Sequence, residues 1–173
     1  MNRYERQEIL PEVGVAGQGR LRAARVLVVG AGGLAATVLP LLTAAGVGRI
    51  TLVDGDRVEQ SNLHRQTLFT EDDLGRPKAD AAVDRCRKLN REVTIVPWRC
   101  ALTPENAEHL VSPADIVLDC ADSYAVSYTL SDVCASHRIP LISAAVLGVS
   151  GYVGGFCGPA PSLRAVFPDA PES

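Results

Sequence analysis

The chain has 173 residues, of which 47% are hydrophobic and 21% charged, and its net charge is −3. That length suits one globular domain with a core of its own. The slight negative charge excludes a general attraction to nucleic acid or acidic membranes, so any phosphate must be held by local placement of a few groups.

The first residues, Met1-Asn-Arg-Tyr-Glu-Arg-Gln-Glu, contain no apolar run and are not expected to form a signal peptide. No window approaches the roughly 18 apolar residues of a membrane-spanning helix. Residues 1–24 are expected to form a helical arm ahead of the core. Arg25-Val-Leu-Val-Val-Gly30 is a continuous apolar run, the pattern of a strand buried on both faces of a parallel sheet. Leu34, Val38, Leu41, Leu42 and Ala45 recur at helical spacing and stop at Gly46, a C-terminal cap, with Pro40 predicting a kink. Arg49–Asp54 reads as the second strand. Pro77 suits the first turn of a helix running to about Asn90. Val93–Trp98 is the third strand, and its Pro97 argues for a sheet edge or a strand end. Thr103-Pro104 opens a short helix. Asp115–Cys120 is the fourth strand, residues 123–137 a helix, and Pro140–Ala145 the fifth strand. The alternation predicts an α/β fold, a Rossmann-like, doubly wound and mainly parallel sheet over residues 25–147. After Gly148 small and large residues alternate with no helix following, which predicts an antiparallel strand. A sheet is not expected to end in an unpaired glycine-rich strand, so the chain is expected to be the N-terminal portion of something longer. Five scattered cysteines, Cys86, Cys100, Cys120, Cys134 and Cys157, without a Cys-x-x-Cys, are expected to be reduced core residues of a cytoplasmic protein.

The chemistry begins at Gly30-Ala-Gly32-Gly33-Leu-Ala35 between the first strand and its helix. Gly30 permits a tight turn, and Gly32 and Gly33 let backbone amides approach phosphate oxygens at a helix N-terminus. Ala35 replaces the third glycine of the usual pattern, where the residue governs helix–sheet packing. Asp54, 24 residues after Gly30, is placed to accept both ribose hydroxyls. These features alone also fit a nicotinamide-dependent oxidoreductase. The segment Ser61-Asn62-Leu63-His64-Arg65-Gln66, with Asp54-Gly-Asp56 before it and Lys78 after it, narrows the choice. A triphosphate brings about four negative charges. Arg65 offers a fork of donors, Lys78 a point charge and Asn62 an amide hydrogen. Asp122 follows the fourth strand at the carboxyl edge of the sheet, where a hard carboxylate suits magnesium.

These motifs, together with Arg3-Tyr4-Glu5-Arg6-Gln7 and Phe167-Pro168, resemble the ThiF/MoeB/HesA family, the bacterial relatives of ubiquitin-activating enzymes, over nearly the whole chain. The resemblance implies a single ATP-binding adenylation domain over 1–173, with residues 148–173 starting the part that holds a protein partner. It implies an ATP-dependent adenylyltransferase acting on the Gly-Gly carboxylate of a ubiquitin-like sulfur carrier, in thiamine, molybdopterin or related biosynthesis. Asn62, Arg65 and Lys78 match the family's ATP-phosphate residues, Gln66 completes its Arg-Gln pair, and Asp122 matches its metal-binding aspartate. Arg6 matches an arginine that reaches into the partner's site in homodimers. Two departures stand out: Ser123 and Ser127 replace the usual Asn and Arg after Asp122. In addition, Ser162-Leu-Arg-Ala165 stands where zinc-bearing members carry Cys-x-x-Cys, so zinc is not expected. A cousin acting on a small molecule or a modified tRNA base is the nearer alternative, and a non-catalytic binding subunit is another.

Overall fold

The computed structural model describes residues 2–168. Two helices, α1 (Glu5–Glu8) and α2 (Gly14–Ala23), make the N-terminal arm. Strands β1 (Arg25–Val29), β2 (Arg49–Val53), β3 (Thr94–Trp98), β4 (Ile116–Asp119) and β5 (Pro140–Leu147) are parallel, and β6 (Ser150–Cys157) runs antiparallel beside β5. The order is β3-β2-β1-β4-β5-β6. The chain therefore winds outward from β1 to one edge at β3 and returns past β1 to build the other half. Beyond the carboxyl ends of β1 and β4 this reversal leaves a crevice, because the following helices depart to opposite faces. The predicted fold class holds, and Pro97 does lie on an edge strand.

Helices α3 (Gly33–Ala45) and α4 (Lys78–Leu89) cover one face, and α5 (Pro104–Val111) and α6 (Tyr124–His137) the other. The period of two along β1 explains its unbroken apolar run. Val26 and Val28 face α3 and α4, while Leu27 and Val29 face α5 and α6. A short last helix, α7 (Leu163–Val166), plugs Leu163 into the second layer.

The buried stripe of α3 is Ala35, Ala36, Leu39 and Thr43, and the expected Leu34, Val38 and Leu42 pack partly buried beside it; of the expected stripe Leu41 departs, at 64% exposed. Small side chains at 35 and 36, both buried, let the helix approach the sheet closely. Ala35, fully buried, thus occupies the packing position assigned to it. The helix continues through Pro40 and ends at Gly46, whose φ of +84° makes the left-handed cap. Pro77 sits one position earlier than expected, as the cap before α4. β5 extends two residues past Ala145, pairing with β6 in a hairpin that reaches Leu147 opposite Ser150. Among the described residues no helix is long and apolar enough to cross a membrane.

Candidate active site

The crevice at the carboxyl ends of β1 and β4 is a cleft of about 650 Å³. Its first wall is the turn from β1 into α3. Gly30 has φ +91°, and a Cβ there would lie 2.6 Å from the Cys120 carbonyl oxygen, so only glycine fits between β1 and the end of β4. Gly32 caps α3 with no side chain of its own, leaving the first N–H groups of the helix for an anion.

Asp54, at the end of β2, shapes this turn directly. Its Oδ2 accepts from Ala31 N–H at 2.7 Å and its Oδ1 from Asp56 N–H at 2.8 Å. Burial raises its carboxyl above the ordinary range, while the two N–H donors and nearby Lys78 act the other way. Each oxygen keeps one lone pair for a ribose hydroxyl, so the expected role is compatible with a second one in setting the glycine turn.

Lys78 opens α4 and is buried, with its Nζ donating to Asp56 Oδ2 at 2.8 Å and its N–H to the Asp56 carbonyl at 2.9 Å. Asp56 is itself largely exposed, at 73%. This pair holds a lysine charge at the cleft wall through a partner that water already screens. Arg65 is exposed and donates Nη1 to the Ser61 carbonyl at 3.1 Å. Gln66 is 4% exposed, and its Oε1 is the one buried side-chain oxygen without a hydrogen-bond partner among the described residues. A buried acceptor left unpaired costs about 1–3 kcal/mol, which marks Gln66 as a residue that a ligand or water satisfies. Asn62 does not line the cleft. It donates Nδ2 to Ser61 Oγ at 3.2 Å, and its carbonyl accepts from the Arg65 and Gln66 N–H groups at 3.1 and 2.9 Å. Its present part is to fold the loop that presents Arg65. His64 is exposed beside it.

Across the cleft, Asp122 is exposed in the turn between β4 and α6. Among the described residues no three His, Cys, Asp or Glu side chains form a metal-binding group. An exposed carboxylate such as Asp122 is a hard oxygen donor of the kind that magnesium would share with phosphate and water oxygens. Asp119, at the end of β4, is 1% exposed and accepts from Ser143 Oγ at 2.8 Å and Ala121 N–H at 3.2 Å. Burial raises its carboxyl, and the Ser127 and Ser143 hydroxyls and the Ala121 N–H partly offset this. Its bond to the Ala121 N–H organises the turn that carries Asp122. Ser127 is buried and donates to the Ser123 carbonyl at 3.2 Å, so the position without the family arginine is closed by a helix-internal bond.

Sequence reasoning missed part of the lining: Cys100, Ala101 and Leu102 after β3, Tyr124 and Val126 on α6, and Tyr152 on β6. The first three lie beyond a strand's carboxyl end, the position that sheet architecture itself marks. Tyr152 comes from the antiparallel strand and carried no local signal. The cysteines are all free. Burial pushes the thiols of Cys120 and Cys134 up to about 12 and raises Cys157, so none of the three is an activated nucleophile.

Arg6 is placed elsewhere. Tyr4 anchors α1 at the opposite edge of the sheet: its hydroxyl accepts from Asn90 Nδ2 at 2.8 Å and donates to Glu92 at 3.1 Å. Gln7 Nε2 donates to the Ala45 carbonyl at 3.2 Å. Ala45 and Asn90 are the far ends of the helices whose N-termini line the cleft. Thirteen residues of α3 separate the two edges, roughly 20 Å. Arg6 does not reach the cleft of its own chain.

The chain that builds this cleft matches a known family model, described as the ThiF family, over residues 4–173. The chain belongs to the ThiF family. It is 42% identical over 172 residues to the SAMP-activating enzyme E1 of Haloferax volcanii, covering 99% of this chain and 64% of that protein. It is 44% identical over 177 residues to a sulfur carrier protein adenylyltransferase of Thermus thermophilus, with 99% and 65% covered. The chain thus spans less than two thirds of either relative's length. Among solved structures, E. coli MccB with MccA-N7isoASN superposes with a TM-score of 0.82 at 29% identity, covering 91% of this chain and 48% of that one. E. coli tRNA N6-threonylcarbamoyladenosine dehydratase, TcdA, gives 0.77 at 30% identity, covering 82% and 59%.

Proposed function

We propose that this ThiF-family chain uses ATP to adenylate the C-terminal Gly-Gly carboxylate of a small ubiquitin-like sulfur-carrier protein, releasing pyrophosphate. The observation that carries this is the convergence of Lys78, Arg65 and Asp122, from three separate segments, on one cleft that also holds a bare helix N-terminus. A nicotinamide enzyme has no use for that much phosphate-directed charge. The relatives at 42% and 44% identity, named for carrier activation, support this reading over the 30% likeness to a tRNA-modifying dehydratase.

The mechanism follows from charge. The carrier's carboxylate is ionised at neutral pH, so no general base is needed. One of its oxygens attacks the α-phosphorus, the bond from that phosphorus to the α–β bridging oxygen breaks, and an acyl-adenylate and pyrophosphate result. The α3 N-terminus and Arg65 hold the phosphates, Lys78 neutralises charge that builds on them, and Asp54 fixes the ribose. Magnesium, held by Asp122, would supply charge neutralisation on the departing pyrophosphate. Residues 148–168, with the exposed hairpin tip beside the cleft, begin the surface that receives the carrier. The anchoring of Arg6 some 20 Å from its own cleft supports a homodimer in which each chain lends that arginine to its mate. Five free cysteines suit the reducing cytoplasm, where we place the reaction.

The test is intact-mass spectrometry of a Gly-Gly-ended carrier incubated with the full-length protein, ATP and magnesium. An AMP adduct on the carrier supports the reading. An unmodified carrier, with NAD bound in preference to ATP, rejects it.

A further inference from the structure

Three polar side chains on three different strands meet behind the cleft. Asp119 ends β4, Ser143 lies beside it on β5, and Tyr152 comes from β6, two residues before the partner of Ser143 in the hairpin register. Ser143 Oγ donates to Asp119 Oδ2 at 2.8 Å and lies 3.1 Å from the Tyr152 hydroxyl. Ser143 is fully buried and Asp119 nearly so, while Tyr152 lines the cleft. The Tyr152 ring is held in place by the rings of Phe167, at 5.4 Å between centroids, and Phe156, at 6.5 Å.

Counting protons fixes the direction of this chain. A carboxylate is acceptor only, and both Asp119 oxygens already face donors, Ser143 Oγ–H and Ala121 N–H. The single Ser143 proton is therefore spent on Asp119, and its oxygen must accept the single Tyr152 proton. The phenol is left with lone pairs and no hydrogen to offer the cleft. Such a group pairs with an N–H donor. It opposes a phosphate or carboxylate oxygen, which would need a proton from it.

We propose that Tyr152, held as an acceptor by Ser143 and Asp119, receives the last peptide N–H of the substrate's C-terminal tail and so selects a terminal residue that carries an amide hydrogen. The proposal rests on the reading of this cleft as the place where a carrier's terminal carboxylate is adenylated. Its chemistry fits that substrate closely. The nucleotide and the carboxylate both present acceptors to the cleft, and the backbone N–H next to the carboxylate is the donor nearest the reacting atoms. Tyr152 touches the substrate away from the bond being made, while Ser143 and Asp119 act through it as positioning residues.

The experiment is a double-mutant cycle across the contact. Full-length wild type and Tyr152→Phe are each assayed for carrier-dependent ATP–pyrophosphate exchange with two semisynthetic carriers. One ends in Gly-Gly; the other ends in Gly-sarcosine, whose N-methyl group removes the last N–H and nothing else of its charge. Each single change is expected to lower kcat/KM for the carrier about ten-fold, the range of one hydrogen bond, with KM for ATP unchanged. The combination is expected to lose no more than either change alone. Equal sarcosine penalties in wild type and Tyr152→Phe, or wild-type kinetics in Tyr152→Phe, would overturn the assignment. Asp119→Asn supplies a second arm. Its amide donates to Ser143, which then donates to Tyr152 and turns the phenol's proton into the cleft. The variant is expected to show the Tyr152→Phe defect toward Gly-Gly with normal ATP affinity, and undiminished carrier kinetics in it would refute the proton count. Absence of exchange by wild type with either carrier is a different failure, which rejects the function itself.

Discussion

Gly30→Ala tests how the first strand is joined to the cleft. At φ +91° an alanine adopts a left-handed backbone at a cost of about 1–2 kcal/mol. Its Cβ would also stand 2.6 Å from the oxygen and 2.8 Å from the carbon of the Cys120 carbonyl. Both are backbone atoms at the end of β4, so no side chain can swing aside. Relief requires prying β1 from β4, and overpacking of that kind costs a further ~1–3 kcal/mol. The sum, about 2–5 kcal/mol, is a large fraction of the 5–15 kcal/mol typical of a domain. Urea unfolding followed by circular dichroism should show the midpoint falling with the slope preserved. ATP affinity should fall with it, because the same displacement moves the α3 N-terminus away from the Asp122 turn. Gly19→Ala is the control. Nothing lies within 4 Å of a Cβ there, and in the middle of α2 it should stabilise by about 0.5–1 kcal/mol. A Gly30→Ala protein within about 1 kcal/mol of wild type, with undiminished ATP binding, would refute the reasoning.

Lys78→Ala and Asp122→Asn should each lower ATP–pyrophosphate exchange at least about ten-fold while leaving the fold intact, since both act on phosphate charge and Asp56 stays solvated when Lys78 is lost; unchanged exchange would remove them from the site. Arg6→Ala and Arg65→Ala should be inactive alone but recover up to roughly a quarter of wild-type activity when mixed, because half the dimers are then hybrids with one complete site each. No recovery under demonstrated subunit exchange would sink the trans role of Arg6. Asp119 supplies a pH test. Its folded carboxyl is raised, so the folded state holds that proton more tightly than the unfolded chain does. Its protonated form therefore favours folding at low pH, and stability declines as pH rises from the ordinary carboxylate value through the raised one. Asp119→Asn should flatten this decline by at most about 1.4 kcal/mol per pH unit, and an unaltered pH profile would contradict the assigned burial effect.

Most of the fold was legible because its signals are local. The apolar runs at 25–30 and 49–54, the glycine turn and the proline punctuation each report on neighbouring residues, and the alternation they make has few topological solutions. The exposure of Leu41 was not legible, since which residues of α3 turn fully inward depends on how closely Ala35 and Ala36 let the helix approach the sheet. Nine of the expected site residues converge on the cleft, namely Gly30, Gly32, Gly33, Asp54, Asp56, Arg65, Gln66, Lys78 and Asp122. Asn62 folds the loop behind it, and Arg6 stands at the far edge. The Asp119–Ser143–Tyr152 chain escaped the sequence because it is assembled across 24 and 9 residues of separation, by strand register alone.

The reacting group proposed is a carrier's terminal carboxylate. Exchange of labelled pyrophosphate into ATP by the full-length protein measures it directly, with one carrier prepared both as the free Gly-Gly acid and as the Gly-Gly amide. Exchange is expected to require the acid and to be absent with the amide, because the amide has no anionic oxygen to attack the α-phosphorus. Equal exchange with both forms, or exchange with no carrier at all, would contradict it.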